Sequence, residues 1–238
     1  MKTKIVHEDR DILVCHKPAG LAVESAAIGR MDMVSELKNY LKSPYLGVVH
    51  RLDQPVEGLL VFAKNQKAAA VLSKQLQQNT LNKEYYAAVC GKPDSEEGKL
   101  VDYLQKDNKT RMAKVVQKGT SDAREAILTY QVLGTWDGIN PAGTKEKALN
   151  SKPISLLRVQ IETGRFHQIR AQLSHAGTPI LGDQKYGNDA SLELSKKVGA
   201  VNVALCACGL EFKHPVSGQK LSFEIVPDTG AFALFEIN

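Results

Sequence analysis

The stretch His50-Arg-Leu-Asp-Gln-Pro-Val-Glu-Gly-Leu-Leu60 places one acidic residue, Asp53, between an arginine-containing turn and the apolar run Leu59–Ala63, which predicts a buried strand. A carboxylate at the mouth of such a strand is costly unless a cation meets it. Arg51 is close in sequence, and a second cation-rich stretch, Glu162–Arg170, follows much later in the chain. Two interpretations of Asp53 are therefore open: a turn residue or structural ion-pair partner, or a catalytic carboxylate.

The composition is that of an ordinary soluble globular protein. The chain has 238 residues, of which 43% are apolar and 24% charged, and its formal net charge is +5. It is long enough for one large domain or two small ones. Because it has neither an apolar run of the ~20 residues that span a bilayer nor a signal-peptide core, we predict a cytoplasmic protein without membrane contact. The modest positive charge permits a polyanionic partner.

The four cysteines are scattered over apolar segments. Cys206 and Cys208 are separated by one residue, which is too short a gap for the usual structural zinc pair. We therefore expect Cys15, Cys90, Cys206 and Cys208 to be reduced thiols in the core, and we expect no metal site.

Apolar runs and turn signals predict the N-terminal elements. Residues 4–24 have the pattern of a hairpin of two strands. Apolar spacing predicts helices over Asp32–Leu41 and Gln66–Gln78, with Asp32 and Asn65 as N-caps. The second helix is expected to bury Ala68, Val71, Leu72 and Leu76.

The middle of the chain is less regular. Lys83–Gly91 predicts a strand in which Tyr85 and Tyr86 point to opposite faces, so one can pack in the core while the other faces a cleft. Lys92–Asp122 is polar and turn-rich, and its cations suit a solvated surface as well as contact with phosphates. The segment Asp137–Pro153 breaks every periodicity and predicts an exposed excursion between two strands.

The C-terminal half predicts strands around one helix. A half-buried strand ends at Thr163-Gly164, and the following helix is expected to bury Phe166, Ile169, Leu173 and Ala176. Arg165 then lies at a strand-to-helix junction, with His167 and Arg170 on another helical face. Two further strands are expected between Ala200 and Val226. Many short strands and few helices predict an α+β fold with a mixed, largely antiparallel sheet and flanking helices.

Four stretches, in this order, resemble the motifs of the RluA-type RNA pseudouridine synthase family. They are Ile12-Leu-Val-Cys-His-Lys-Pro-Ala-Gly-Leu21, His50-Arg-Leu-Asp53 with Gly58-Leu-Leu-Val-Phe-Ala-Lys64, Lys83-Glu-Tyr-Tyr-Ala-Ala-Val-Cys-Gly91, and Thr163-Gly-Arg-Phe-His-Gln-Ile-Arg170 with Gly177–Asp183 and Tyr186-Gly187. The resemblance covers nearly the whole chain. It implies the pseudouridine synthase catalytic fold with a central active-site cleft, as a single catalytic domain over residues 1–238 without a separate N-terminal RNA-binding domain.

The resemblance also implies roles for individual residues. Asp53, Tyr85 and Arg165 are expected to be catalytic, with Tyr85 stacked on the target base, and Lys17 to be part of the scaffold. Substrate binding is expected of Arg51, His50, His167 and Arg170. The implied substrate is structured RNA, ribosomal or transfer RNA and not DNA, bound by a monomer that uses no cofactor.

The implied reaction breaks the bond between ribose and the uracil nitrogen, rotates the base and rejoins it through carbon. A carboxylate can attack the sugar, attack the base or abstract a proton from the sugar, and the sequence leaves these routes open. Each route needs an ionised Asp53, which a neighbouring Arg165 would favour. The uridine has to leave its stack, and the planar Arg51 side chain suits the vacated space; the alternative for Arg51 is an ion pair with a nearby acid.

Two other functions compete with this one. A catalytically silent RNA-binding protein could use the same basic cleft without chemistry. A hydrolase with an aspartyl nucleophile would need a second acid or a metal cluster, which the sequence does not offer near Asp53.

The chain departs from the family in one place. Many members have Thr-Ser where this chain has Val56-Glu57. A glutamate so near Asp53 would oppose its ionisation, so we expect Glu57 to point outward or to pair with a lysine or arginine.

Overall fold

The described residues of the computed structural model, 1–25, 29, 31–137, 152–228 and 230–237, contain eleven strands and four α-helices. The chain divides into two units, Met1–Glu84 with Cys206–Val226 and Tyr85–Leu205 with Pro227–Asn238. The predicted α+β class is confirmed. The single catalytic domain stays a prediction, and most of the predicted excursion Asp137–Pro153 lies outside the described residues.

Unit 1 contains a mixed sheet in which the hairpin predicted for residues 4–24 forms one edge. Its strands are β1 (Lys4–Glu8), β2 (Ile12–Lys17), β3 (Gly47–Val48), β4 (Glu57–Ala63), β10 (Leu205–Lys213) and β11 (Lys220–Glu224). The order is β1-β2-β4-β10, with β3 on β4 and β11 on β10, and only the β4–β10 pair is parallel among those with a described register. Gly58 is required where β4 meets β10, because a Cβ there would lie 2.4 Å from the backbone nitrogen of Ala207.

Two helices complete unit 1, α1 (Met33–Leu41) and α2 (Gln66–Gln77). Both predicted N-caps are confirmed: Asp32 accepts a hydrogen bond from the backbone of Ser35, and Asn65 from that of Ala68. The core that α2 covers includes the β2 and β4 side chains Ile12, Val14, Leu59 and Val61. Val71 was expected in this core but is 40% exposed.

Unit 2 contains a second set of strands. They are β5 (Asn82–Cys90, of which the first three residues belong to unit 1), β6 (Glu97–Asp107), β7 (Met112–Val116), β8 (Arg124–Trp136) and β9 (Ile154–Ile161), in the order β5-β9-β8-β6-β7. Two α-helices follow, α3 (Gln168–His175) and α4 (Asp189–Lys197), and a 3₁₀ turn at Gly230–Leu234. No helix among the described residues is long and apolar enough to cross a membrane.

The prediction for Lys92–Asp122 missed two strands. Strands β6 and β7 form a hairpin there, and β6 also pairs with β8. Leu104 and Ala113 are buried in a cluster with Ala171 of α3, whereas the opposite face of the hairpin carries polar side chains. A strand that buries so few apolar residues gives a weak periodic signal, which explains the miss.

The predicted helix after Thr163-Gly164 is present but starts later. Ile169 and Leu173 are buried as expected, and Gly177, with a φ of +82°, follows the helix end. Phe166 precedes the helix and is 40% exposed, so its predicted place in the core was wrong. The four cysteines are confirmed as free and buried thiols.

Candidate active site

In unit 1, Asp53 lies half-buried on a tight turn immediately before β4. Its carbonyl oxygen accepts a hydrogen bond from the backbone of Val56 at 3.1 Å. The next residue, Gln54, is tied to Gly20 in both directions: its carbonyl accepts from the Gly20 backbone at 2.8 Å, and its side-chain amide donates to the Gly20 carbonyl at 3.0 Å. Gly20, which belongs to the motif Ile12–Leu21, therefore fixes the turn that carries Asp53.

Lys17 is a buried cation of unit 1. Its side chain is 0% exposed, and its ammonium donates to the carbonyls of Pro18 at 3.1 Å, Leu21 at 2.7 Å and Gln54 at 3.1 Å. Burial lowers the pKa of Lys17 to about 8, and the negative charges of Asp53 and Glu57 oppose the shift. An ammonium has three protons to donate, so this arrangement uses all of them.

Glu57 does not behave as predicted. Its side chain is only 18% exposed, and its ion-pair partner is His16, at 3.9 Å between Nε2 and Oε2. It does not point outward, and within the described ranges its ion-pair partner is a histidine and not the expected lysine or arginine. Its charge instead acts on Lys17 and Cys206.

The two residues of unit 1 expected to bind substrate differ in their surroundings. His50 is buried, and its Nε2 accepts a hydrogen bond from the backbone of Val61 at 3.3 Å. Burial, with a smaller contribution from Lys83, lowers the pKa of His50 to about 3, so the imidazole is neutral. Its geometry favours a structural role over the predicted contact with RNA.

Arg51 is exposed, with 70% of its side chain accessible. Its guanidinium forms an ion pair of 2.6 Å with Glu24, which is 43% exposed. This is the alternative that the sequence left open. Because exposed ion pairs contribute about 0–1 kcal/mol, the pair leaves Arg51 available to another anion or to a base.

In unit 2, Tyr85 and Tyr86 of β5 are both buried, at 5% and 6% exposure. We expected one of these tyrosines to pack in the core and the other to face a cleft, but neither side chain is exposed. The ring of Tyr86 has a cation-π contact with Arg158, whose guanidinium carbon lies 5.9 Å from the ring centroid. A base can stack on Tyr85 only after that ring becomes accessible.

Arg165 is positioned by a network centred on Gln168, the first residue of α3. The Gln168 side-chain oxygen accepts from the Arg165 backbone at 2.9 Å and from the Thr163 hydroxyl at 2.8 Å, and its amide donates to the Ile127 carbonyl at 3.0 Å. The Arg165 Nε donates to the carbonyl of Glu125 at 2.8 Å. The loop between β9 and α3 thereby fixes both the backbone and the side-chain direction of Arg165.

His167 is the N-cap of α3 in the left-handed conformation, with φ 52°. Its Nδ1 lies 2.8 Å from the hydroxyl of Tyr186, which also accepts from the backbone of Ala113 at 2.6 Å. A non-glycine residue with positive φ is held there by its surroundings. The predicted helical face shared by His167 and Arg170 does not form, because His167 lies outside the helix.

Arg170 forms a buried bidentate ion pair with Asp183. The two bonds measure 2.7 Å from Nε and 2.8 Å from Nη2, and the side chains are 4% and 0% exposed. The Asp183 carboxylate also accepts from the backbones of Lys185 and Tyr186. This geometry favours a structural role for Arg170 over the predicted contact with substrate.

The structure thus places Asp53, His50 and Arg51 in unit 1, and Tyr85, Arg165, His167 and Arg170 in unit 2. Sequence reasoning missed the positioning residues Gln168 and Asp183. Both lie inside family motifs, but a glutamine or aspartate in a motif gives no sign of its hydrogen-bond partners.

One group of side chains in the described part of the chain has the spacing of metal ligands: Asp9, Asp11 and His214. The Nδ1 of His214 accepts from the backbones of Val216 and Ser217, so its Nε2 carries the proton and donates to Asp9 at 3.1 Å. A metal ligand needs that lone pair free. The donor set therefore fits a hydrogen-bond network and not an ion.

The fold defines a class of protein. It resembles the solved structure of human RNA pseudouridylate synthase domain containing 1, with a TM-score of 0.75 and 20% identity over 95% of this chain and 84% of that chain. At this identity the likeness establishes the pseudouridine synthase fold alone.

The family follows from sequence comparison, because the RNA pseudouridylate synthase family model matches residues 11–175. Ribosomal large subunit pseudouridine synthase D of Neisseria meningitidis is 35% identical over 96% of this chain and 59% of its own length. The tRNA pseudouridine synthase C of Haemophilus ducreyi is 30% identical over 96% of this chain and 92% of its own length. The chain belongs to the RNA pseudouridylate synthase family, and it is an isomerase that acts on RNA.

Proposed function

We propose that this protein isomerises specific uridines of ribosomal or transfer RNA to pseudouridine, with Asp53 as the reacting carboxylate. The observation that carries the proposal is the fixed turn of Asp53, whose neighbour Gln54 is hydrogen-bonded to Lys17 and Gly20. A reacting group held in one position gains rate because little freedom is lost on the way to the transition state. The names of the relatives support ribosomal or transfer RNA as the substrate class.

Two residues of unit 2 complete the proposed chemistry. Arg165 is the proposed catalytic cation, and its loop supports this role because hydrogen bonds to Gln168 and Glu125 fix its backbone and its guanidinium before substrate arrives. Tyr85 stacks on the target base once its buried ring becomes accessible. Whether Asp53 attacks the sugar, attacks the base or abstracts a sugar proton is left open.

The burial and hydrogen bonds of the four predicted substrate-binding residues change which of them we propose to contact RNA. Arg51 fills the space of the flipped uridine after its exposed ion pair with Glu24 opens. His167 contacts the RNA next to Arg165. His50 and Arg170 have structural roles in units 1 and 2 respectively, since both are buried and hydrogen-bonded within the protein.

The wider setting is also part of the proposal. The protein acts as a monomer in the cytoplasm, as a single catalytic domain, on RNA and not on DNA. It needs no metal or organic cofactor, because each proposed step uses side chains and the atoms of the substrate.

Mapping pseudouridines in cellular RNA with and without this gene tests the proposal. We expect one or a few sites to lose pseudouridine in the deletion strain and to regain it with the wild-type gene but not with an Asp53→Asn gene. A catalytically silent RNA-binding protein predicts identical maps in all strains, and that result would refute the proposal.

A further inference from the structure

An aromatic ring is exposed immediately before α3, next to Arg165. Phe166 is 40% exposed, and its ring stacks on that of His167, with centroids 3.8 Å apart and an angle of 20° between the planes. The His167 ring is held in turn by the Tyr186 hydroxyl. Phe166 therefore rests on a fixed support without belonging to the core of unit 2.

A cation covers the same ring. The Nζ of Lys106 lies 5.0 Å from the centroid of Phe166. Lys106 is exposed near the end of β6 and pairs with Ala113 of β7, so its side chain extends on the face of the hairpin that carries Ala113. Arg111, in the turn that joins β6 and β7, and Lys185 form a second pair of cations, in which the Lys185 ammonium donates to the Arg111 carbonyl at 3.1 Å.

An exposed aromatic ring with a lysine over it has the chemistry that recognises an unpaired nucleotide. The ring stacks on the base, and the ammonium pairs with the phosphate. An acidic protein surface would supply negative charge without a planar base beside each charge, whereas single-stranded RNA offers both at every residue.

We propose that Phe166, supported by His167 and flanked by Lys106, forms a platform for an unpaired nucleotide of the substrate RNA close to the target uridine. The inference rests on the proposed function, because Phe166 directly follows Arg165, to which catalysis is assigned. On binding, the flexible Lys106 side chain moves from the ring to the phosphate of the same nucleotide, and the base takes its place on Phe166.

The test measures binding of a short, fluorescein-labelled, single-stranded oligouridylate at several salt concentrations. Phe166→Ala is expected to raise Kd about fivefold or more, the loss of one stacked base, and to leave the salt dependence unchanged. Phe166→Tyr keeps the ring and is expected to bind like the wild type, whereas Phe166→Leu is apolar without a ring and is expected to behave like the Ala variant.

The chain offers a matched control for charge. Lys118 lies 5.7 Å from the ring centroid of Tyr103, which points to the opposite face of β6 from Lys106. Lys106→Gln is expected to reduce the slope of log affinity against log salt by about 0.7, the value for one phosphate contact on a single strand. Lys118→Gln removes the same charge and is expected to leave that slope nearly unchanged.

Three results would overturn the platform: no binding of the oligouridylate by the wild type, the same Kd for Phe166→Ala as for the wild type, or equal slopes for Lys106→Gln and Lys118→Gln. The proposed function fails separately, by the absence of pseudouridine formation in cellular RNA. If the wild type forms pseudouridine and the Phe166→Ala variant binds the oligouridylate as tightly as the wild type, the platform is refuted and the proposed function stands.

Discussion

Replacing Arg170 with methionine tests whether this residue supports the fold or binds substrate. Methionine keeps much of the length of the side chain but removes the charge that meets Asp183. The pair is bidentate, and neither side chain is more than 4% exposed. Loss of one partner of a buried ion pair leaves an uncompensated charge and costs about 3–5 kcal/mol of unfolding free energy.

Urea denaturation of the purified variant measures this cost, with RNA affinity measured on the same preparation. The double variant Arg170→Met with Asp183→Asn is expected to recover most of the loss, because asparagine keeps an acceptor for the backbones of Lys185 and Tyr186 without a buried charge. As a control, Lys197→Met breaks the exposed pair with Glu193 on α4 and is expected to shift the urea midpoint little.

One outcome would refute the structural assignment. If Arg170→Met unfolds at the same urea concentration as the wild type but binds RNA more weakly, Arg170 contacts substrate, as the sequence first predicted.

Four further predictions concern titration and cofactors. Because burial lowers the pKa of His50 to about 3, the unfolded chain gains a proton there that the native state does not. The unfolding free energy should therefore fall by about 1.4 kcal/mol per pH unit as pH falls from about 6 toward 3, and His50→Gln should lack that component of the acid slope. The pKa of Lys17 is lowered to about 8, so kcat/KM should fall as pH rises through that value, and Lys17→Met should be slow at every pH; an unchanged alkaline limb in this variant would assign the limb to another group. The same shift means that burying the charged Lys17 costs stability below about pH 8, and that this cost disappears as pH rises toward 10.5. Exhaustive chelation should leave the rate of pseudouridine formation unchanged, and recovery of lost activity by one specific divalent ion, with the RNA kept folded, would contradict this.

The elements that the sequence predicted well are those with local signals. Asp32 and Asn65 each precede an apolar helical pattern and hydrogen-bond to a backbone nitrogen three residues later, so the cap and the helix are encoded together. The β1–β2 hairpin was equally local. Strands β6 and β7 were missed because they bury few apolar residues, and those few pack against α3, which follows far along the chain.

The site was predicted at the level of motifs and not of contacts. The helix pattern that included Phe166 overlooked the hydrogen bonds of Gln168, which hold the preceding residues in a loop. Arg170 and Asp183 are separated by thirteen positions, and only the folded chain brings them to 2.7 Å. Glu57 was expected to point outward or to pair with a lysine or arginine, but it is only 18% exposed and lies 3.9 Å from His16. Each error concerns a tertiary partner, which periodicity does not encode.

The most direct test of the central claim is the Asp53→Asn variant, measured for pseudouridine formation, RNA affinity and thermal stability. The substitution keeps the size and hydrogen-bonding reach of the side chain but removes its charge and its nucleophilic oxygen. We predict that product formation is abolished while RNA affinity and melting temperature stay close to those of the wild type. Loss of stability without a specific loss of turnover would make Asp53 a structural residue. Normal pseudouridine formation by a preparation free of wild-type enzyme would contradict the catalytic assignment.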